Sequence, residues 1–156
     1  MPSWSAFQSA APGLAAEVER LLGAHVHKTL ATVRQGGGPR ISGTEAQLID
    51  GELWIGSMWQ ARKALDLRRD PRFALHSGSD DPPGWAGDAK VAGEAEEILD
   101  PARVREINGE IADQGPTHLF RLDVREASTV TPNADGTAVV ITSWTPGRGL
   151  QVVERA

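Results

Sequence analysis

Gly56-Ser57-Met58-Trp59-Gln60-Ala61-Arg62-Lys63-Ala64-Leu65, continuing to Arg68-Arg69-Asp70-Pro71-Arg72, is the stretch on which the reading of this chain turns. The apolar run before it, Leu53-Trp54-Ile55, predicts a strand, and Ala61, Ala64, Leu65 and Leu67 supply packing positions for a helix. Asp70-Pro71 stops that helix near Arg69. Two adjacent cations in the first turn then sit beside backbone N–H groups that have no partner within the helix. That combination suits a phosphate. Ser57 is expected to cap the helix or to bind the same anion. The plain alternative is a solvated helix face.

Upstream, Ala11 to Ala24 predicts an amphipathic helix: Pro12 suits a first helical position, and Leu14, Val18, Leu21 and Leu22 recur at helical spacing. His27 to Arg34 predicts a strand and Gln35 to Pro39 a turn. The run Gly36-Gly37-Gly38 is hairpin chemistry and not a phosphate loop, since no helix follows it. Arg40 to Ile49 predicts a second strand with Gly43 as a bulge, and Asp50-Gly51 a tight hairpin into Glu52 to Ser57. Downstream, Arg72 to Ser77 predicts a strand, Gly78 to Gly87 a polar loop, and Asp88 to Ile98 a half-buried strand. Asp100-Pro101 caps a helix through about Ala112. His118 to Thr131 is a long strand, Asn133 to Gly136 a turn, and Ala138 to Trp144 a last strand ending at Pro146-Gly147. This order predicts an α+β fold, an antiparallel split β-barrel with peripheral helices, with residues 1–156 as one domain.

Composition narrows the function. A chain of 156 residues with 40% hydrophobic and 24% charged residues is an ordinary globular sequence. The net charge of −5, with acidic residues spread along the chain, argues against a nucleic-acid or membrane-surface binder. The lack of cysteine removes disulfides, thiolate catalysis and thiolate metal sites, and fits a cytoplasmic protein. No run of 18 apolar residues occurs, and Met1-Pro2-Ser3-Trp4 does not begin like a secretory leader. His25 and His27 lack a cysteine or carboxylate at ligand spacing, so no metal site is expected. His76 and His118 read as strand-end residues. Asp80-Asp81 reads as turn chemistry, and no nucleophile elbow is present. Trp54 is expected in the barrel; Trp59, Trp85 and Trp144 lie at element ends, where an aromatic can stack on a planar ligand or pack at a rim.

Taken together, Leu30-Ala31-Thr32-Val33-Arg34, Pro39-Arg40, Asp50-Gly51-Glu52-Leu53-Trp54-Ile55-Gly56-Ser57, Arg62-Lys63-Ala64 and Arg69-Asp70-Pro71-Arg72-Phe73-Ala74-Leu75 resemble the split-barrel flavin-binding family that includes pyridoxamine 5′-phosphate oxidase. The resemblance is strongest over residues 24–98. It implies that Arg62 and Lys63 hold a cofactor phosphate, that Gly56 and Ser57 line the same site, and that the stretch with Arg40 and Ser42 runs beside the cofactor ring. It implies a homodimer with the cofactor at its interface, and it brings Trp144 within reach of the cofactor. The Arg-x-His-x-Arg pattern that grips vitamin B6 in true pyridoxamine phosphate oxidases is missing after Trp144, so that substrate is not expected. The nearest branch uses flavin mononucleotide (FMN) or the deazaflavin coenzyme F420, both of which carry a phosphate. The expected function is therefore hydride transfer to or from a small organic substrate, with the cofactor doing the chemistry and the catalytic residues unassigned. The 80–87 loop and the C-terminal segment would shape the substrate pocket. Two alternatives stand beside it: a non-catalytic carrier of flavin, deazaflavin or haem, with His76 or His118 as haem ligand, and a cofactor-free structural dimer.

Overall fold

The structure, a computed structural model, describes residues 3–156; Met1 and Pro2, which enter the reading of the N-terminus above, lie outside them. Among the described residues nine strands form one antiparallel sheet: β1 (His27–Val33), β2 (Pro39–Glu45), β3 (Gln47–Ile49), β4 (Glu52–Met58), β5 (Arg72–His76), β6 (Asp88–Glu97), β7 (Thr117–Pro132), β8 (Val139–Thr145) and β9 (Gly149–Arg155). The order β2-β1-β5-β6-β7-β4-β3 curls the sheet without closing it, so β2 and the β4–β3 edge face each other across a seam. The 16-residue β7 makes the split. Its first half pairs with β4, its second half with β8, and β6 runs along its other side. A register shift at Ala92/Gly93 lets β6 follow the bend. Only glycine fits there, because a Cβ on Gly93 would lie 1.9 Å from the Asp123 carbonyl oxygen.

Four α-helices surround the sheet: α1 (Trp4–Ala10), α2 (Pro12–Gly23), α3 (Arg62–Arg69) and α4 (Pro101–Asn108), the last running into a 3₁₀ turn (Gly109–Gln114). α2 has Pro12 at its first turn and buries Leu14, Ala15, Val18, Leu21 and Leu22 against the sheet. Inward residues of the strands, among them Leu30, Leu53, Ile55, Leu75, Val91, Phe120 and Leu122, complete the core.

The expected α+β split barrel is present, with several local differences. α1 escaped the sequence reading because two apolar residues, Trp4 and Phe7, are too few to show a period. Both are fully buried, and Ser3 caps the helix by accepting from the Ala6 N–H at 3.1 Å. The single strand expected from Arg40 to Ile49 is two. β2 pairs with β1, and after Ala46, which packs on the core, β3 pairs with β4 across the seam. Gly43 is not a bulge, since the β1–β2 register runs unbroken from His27↔Glu45 to Val33↔Pro39. The α4 helix ends at Asn108 rather than near Ala112, at a Gly109 with φ of 63°. Pro146-Gly147 is a hairpin turn and not an end: β9 returns along β8, Thr145 opposite Gly149. Its residues are exposed on both faces, so it offers no burial period to read.

Candidate functional site

β4 delivers the site to the seam. It ends at Met58, and Trp59 and Gln60 turn the chain, Gln60 in the left-handed region (φ 61°), before α3 opens at Arg62. The residue preceding the helix is Ala61, with no side-chain cap. Ser57 is therefore not the cap it was expected to be: it is still in the strand, nearly buried, and its hydroxyl donates to the Met58 carbonyl at 3.3 Å. The N–H groups of Arg62 and Lys63 stay open, while that of Ala64 donates to the Ala61 carbonyl at 3.0 Å, and the Arg62 side chain is exposed and without an ion pair among the described residues.

Lys63 spans the seam. Its Nζ donates to the Gly43 carbonyl of β2 at 2.9 Å, and burial pushes its pKa below the ordinary lysine range. A half-buried ammonium with one backbone oxygen for company has room for an anion. The β2 residues expected beside the cofactor lie on the strand's inward face. Ser42 is half-buried opposite Leu30. Arg40 is committed elsewhere: its Nε donates to Asp66 Oδ2 at 2.6 Å, and Thr32 donates to the same oxygen at 2.8 Å. Burial alone would raise the Asp66 carboxyl. Arg40 and Thr32 outweigh it and hold the group below the usual carboxylate range.

Gly56 faces outward under α4. A Cβ there would meet Asn108 Oδ1 at 2.8 Å, and Asn108 is itself fixed, its Nδ2 donating to Thr117 Oγ1 at 2.9 Å and the His118 carbonyl at 3.3 Å. With Trp54, Met58 and Ile111 these residues line a slot of about 260 Å³. Trp54 is buried on this outer side rather than inside the barrel, with the Arg103 guanidinium 5.0 Å over its ring and its Nε1 donating to Ile49. Trp144 stands apart from the α3 cradle, buried against Phe7 of α1 at 5.0 Å. Thus the fold brings Arg62 and Lys63 to the seam and reaches β2 through Lys63, while Gly56 faces the α4 slot, Ser57 the barrel interior, Arg40 its ion pair with Asp66, and Trp144 the ring of Phe7.

The histidines differ sharply. His118 is 1% exposed, with Nδ1 2.7 Å from Glu97 Oε1 and Nε2 accepting from the Gln60 N–H at 3.1 Å. Neither nitrogen is open to a ligand. Trp59, placed by the sequence at an element end where it can stack on a planar ligand or pack at a rim, packs on this ring, 4.6 Å away and tilted by 12°. His76 has Nδ1 2.6 Å from the Ser77 carbonyl and lines an apolar hollow of about 470 Å³ over the outer faces of β1, β5, β6, β7 and β8. Ala31, Ile41, Ala74 and Ala92 line it too. Its edge includes Trp144, and Ile41 is 75% exposed. His25 lies 3.3 Å from Asp80, tying the 78–87 loop to the entry of β1. The network around His118 and the Arg40–Asp66 pair left no trace in the sequence, because their members stand 21 and 26 residues apart.

Comparison with solved structures gives the same fold. A conserved hypothetical protein from Mycobacterium tuberculosis superposes with a TM-score of 0.62 at 24% identity, over 73% of this chain and 82% of that one. An FMN-binding, pyridoxamine 5′-phosphate oxidase-related protein from Nostoc punctiforme gives 0.66 at 13%, over 94% and 96%. A haem-binding protein from Mycobacterium smegmatis gives 0.59 at 16%, over 89% and 86%. Among proteins of curated function, none matches the sequence significantly. The sequence pattern of the pyridoxamine 5′-phosphate oxidase family matches residues 14–131, well over half of the chain, and the protein belongs to that family.

Proposed function

We propose that the chain binds a phosphate-bearing redox cofactor, FMN or coenzyme F420, at the seam between β2 and the β4–α3 turn, and acts as an oxidoreductase on a small organic molecule. The observation that carries this is the pairing of an exposed, uncommitted Arg62 with a half-buried Lys63 at an uncapped helix start. Arg62 grips two phosphate oxygens, Lys63 adds a point charge, and the open N–H groups of α3 complete the cradle. Ser57 and the backbone at Gly56 and Gly43 border it. When bound, the cofactor supplies hydride transfer. The chain's residues anchor the phosphate, and Asn108 and Ile111 line the neighbouring slot.

A homodimer is part of this reading. The hollow lined by Ala31, Ala74 and Ala92, Ile41 beside it, and Val153 of β9, 46% exposed on the same face of the sheet, form an apolar surface that a second copy would cover. Light scattering should give about twice the 16.7 kDa chain mass.

Hydrogen bonds to charged groups contribute roughly 1.5–3 kcal/mol each, so Arg62→Ala and Lys63→Ala should each weaken FMN or F420 binding by about 10- to 150-fold in a fluorescence titration. A double variant that binds within about threefold of wild type returns the pair to a solvated helix face.

One observation favours a second reading, a haem carrier. With Nδ1 of His76 donating to Ser77, Nε2 keeps its lone pair at the edge of the apolar hollow, the arrangement in which histidines ligate metals. His118 is excluded from that role by its two hydrogen bonds. Haem titration into wild type and His76→Ala decides it: a Soret band that is unchanged in the variant removes this reading.

A further inference from the structure

We infer that His118 is the positioning residue of the phosphate cradle, acting on Arg62 and Lys63 through the backbone N–H of Gln60; the inference rests on the phosphate-anchor reading above.

The donor and acceptor pattern allows one arrangement. The Gln60 N–H can only donate, so the Nε2 that receives it carries a lone pair. The ring proton is then on Nδ1 and is donated to Glu97 Oε1 at 2.7 Å. Glu97 in turn takes both arms of Arg68, Nε at 2.6 Å and the terminal nitrogen at 2.9 Å. Burial would raise the Glu97 carboxyl; the bonds from Arg68 and His118 outweigh it and keep the group ionised.

This network closes on the helix it serves. Arg68 is in α3, so Glu97 fixes the far half of that helix to β6, while His118 fixes its approach to β7. Gln60 is held in a backbone region that side-chain-bearing residues seldom occupy, and Arg62 begins α3 two residues later. The turn is closed locally by the Ala61 N–H donating to the Met58 carbonyl at 3.1 Å, and without an acceptor at Nε2 it loses the hydrogen bond that ties its left-handed residue to β7. Trp59 is stacked on the ring with the Arg68 guanidinium 5.7 Å over it. His118 is 1% exposed, and both its ring nitrogens are bonded within the protein. What it sets is the direction in which the two cations and the helix N–H groups point.

Three variants separate this from a role in stability alone. His118→Gln can place an acceptor near the Nε2 position, His118→Asn keeps a donor toward Glu97 without that acceptor, and His118→Phe keeps only the ring stack. Each is titrated with a cofactor and its phosphate-free counterpart: FMN with riboflavin, and F420 with its deazaflavin chromophore lacking the phosphate. The pair that wild type discriminates is the one compared. His118→Asn and His118→Phe should lose about tenfold or more of that phosphate preference while phosphate-free binding stays within about threefold; His118→Gln should keep the preference within about threefold. Hydrogen exchange at the Gln60 amide should be slow in wild type and His118→Gln and fast in the other two. The ¹⁵N shifts of His118 should report the Nδ1-protonated tautomer.

A retained preference in His118→Asn or His118→Phe, or equal loss for both ligands, overturns the inference. So does fast exchange at Gln60 or the other tautomer in wild type, even if a variant does not fold. If wild type shows no phosphate preference, or Arg62→Ala/Lys63→Ala leaves it intact, the anchor reading itself fails and this one with it. If that double variant abolishes the preference and the His118 series does not, only this inference falls.

Discussion

Arg40→Ala separates a structural cation from a cofactor contact. The Arg40 side chain is 17% exposed and the Asp66 side chain 5%, with 2.6 Å between Nε and Oδ2. Removing one partner of a buried ion pair costs roughly 3–5 kcal/mol, because it strands the other charge. Asp66 would keep its bond from Thr32 and a contact with Arg69 at 3.5 Å, which sets the cost near the lower end, about 3 kcal/mol. In a domain of this size each kcal/mol moves Tm by about 2–4 °C, so the drop should be roughly 6–12 °C. The pH dependence has a definite sign. Asp66 titrates below the usual carboxylate range in the folded chain, so its contribution is complete above the unfolded value and is lost as pH falls through the folded one. The gap between wild type and variant should thus be full at pH 7 and narrow below about pH 4. Arg40→Ala/Asp66→Ala should cost less than the sum of the single changes, the mark of a coupled pair. Thermal and urea denaturation at both pH values, with an FMN titration of each folded variant, measure all of this. A variant whose Tm stays within about 2 °C of wild type at pH 7 while FMN binding collapses would refute the reasoning and make Arg40 a ligand contact.

Two further outcomes follow from the site and the core. Binding a phosphate requires Lys63 to be charged, and burial holds its pKa below that of an ordinary lysine, so cofactor affinity should fall as pH rises through that lowered value; Lys63→Arg, charged throughout, should flatten this alkaline fall in a fluorescence titration against pH. Trp144→Ala removes a ring packed on Phe7 and should cost about 3–5 kcal/mol in a urea melt, with phosphate preference unchanged where the variant folds; loss of that preference alone would return Trp144 to the cofactor site.

What the sequence displayed and what it concealed follow from how far apart the interacting residues lie. The strand–turn–helix around Arg62 and Lys63 was visible because its hydrophobic run, its cations and its Asp70-Pro71 stop are consecutive, and β6 and β7 were visible because they alternate over ten and sixteen residues. α1 and β9 were hidden for opposite reasons. One buries everything it has on two residues, and the other buries nothing on either face. Ser57 shows the limit inside the motif itself. Its spacing before two cations resembles a cap, but a helix begins where the chain can turn, and here the turn is closed by the Ala61 N–H on the Met58 carbonyl and tied to the barrel by His118, 58 residues from the Gln60 N–H it accepts. Ser57 lies opposite His118 in the β4–β7 ladder and belongs to the barrel interior, whereas Arg62 and Lys63, beyond the left-handed Gln60, belong to the seam. Five residues of sequence therefore carry the chain from core to seam, and a long-range hydrogen bond ties that passage to the barrel. For the same reason the residue types needed to hold a phosphate can be read from one short stretch, while their aim depends on a histidine and a glutamate that no local pattern connects to it.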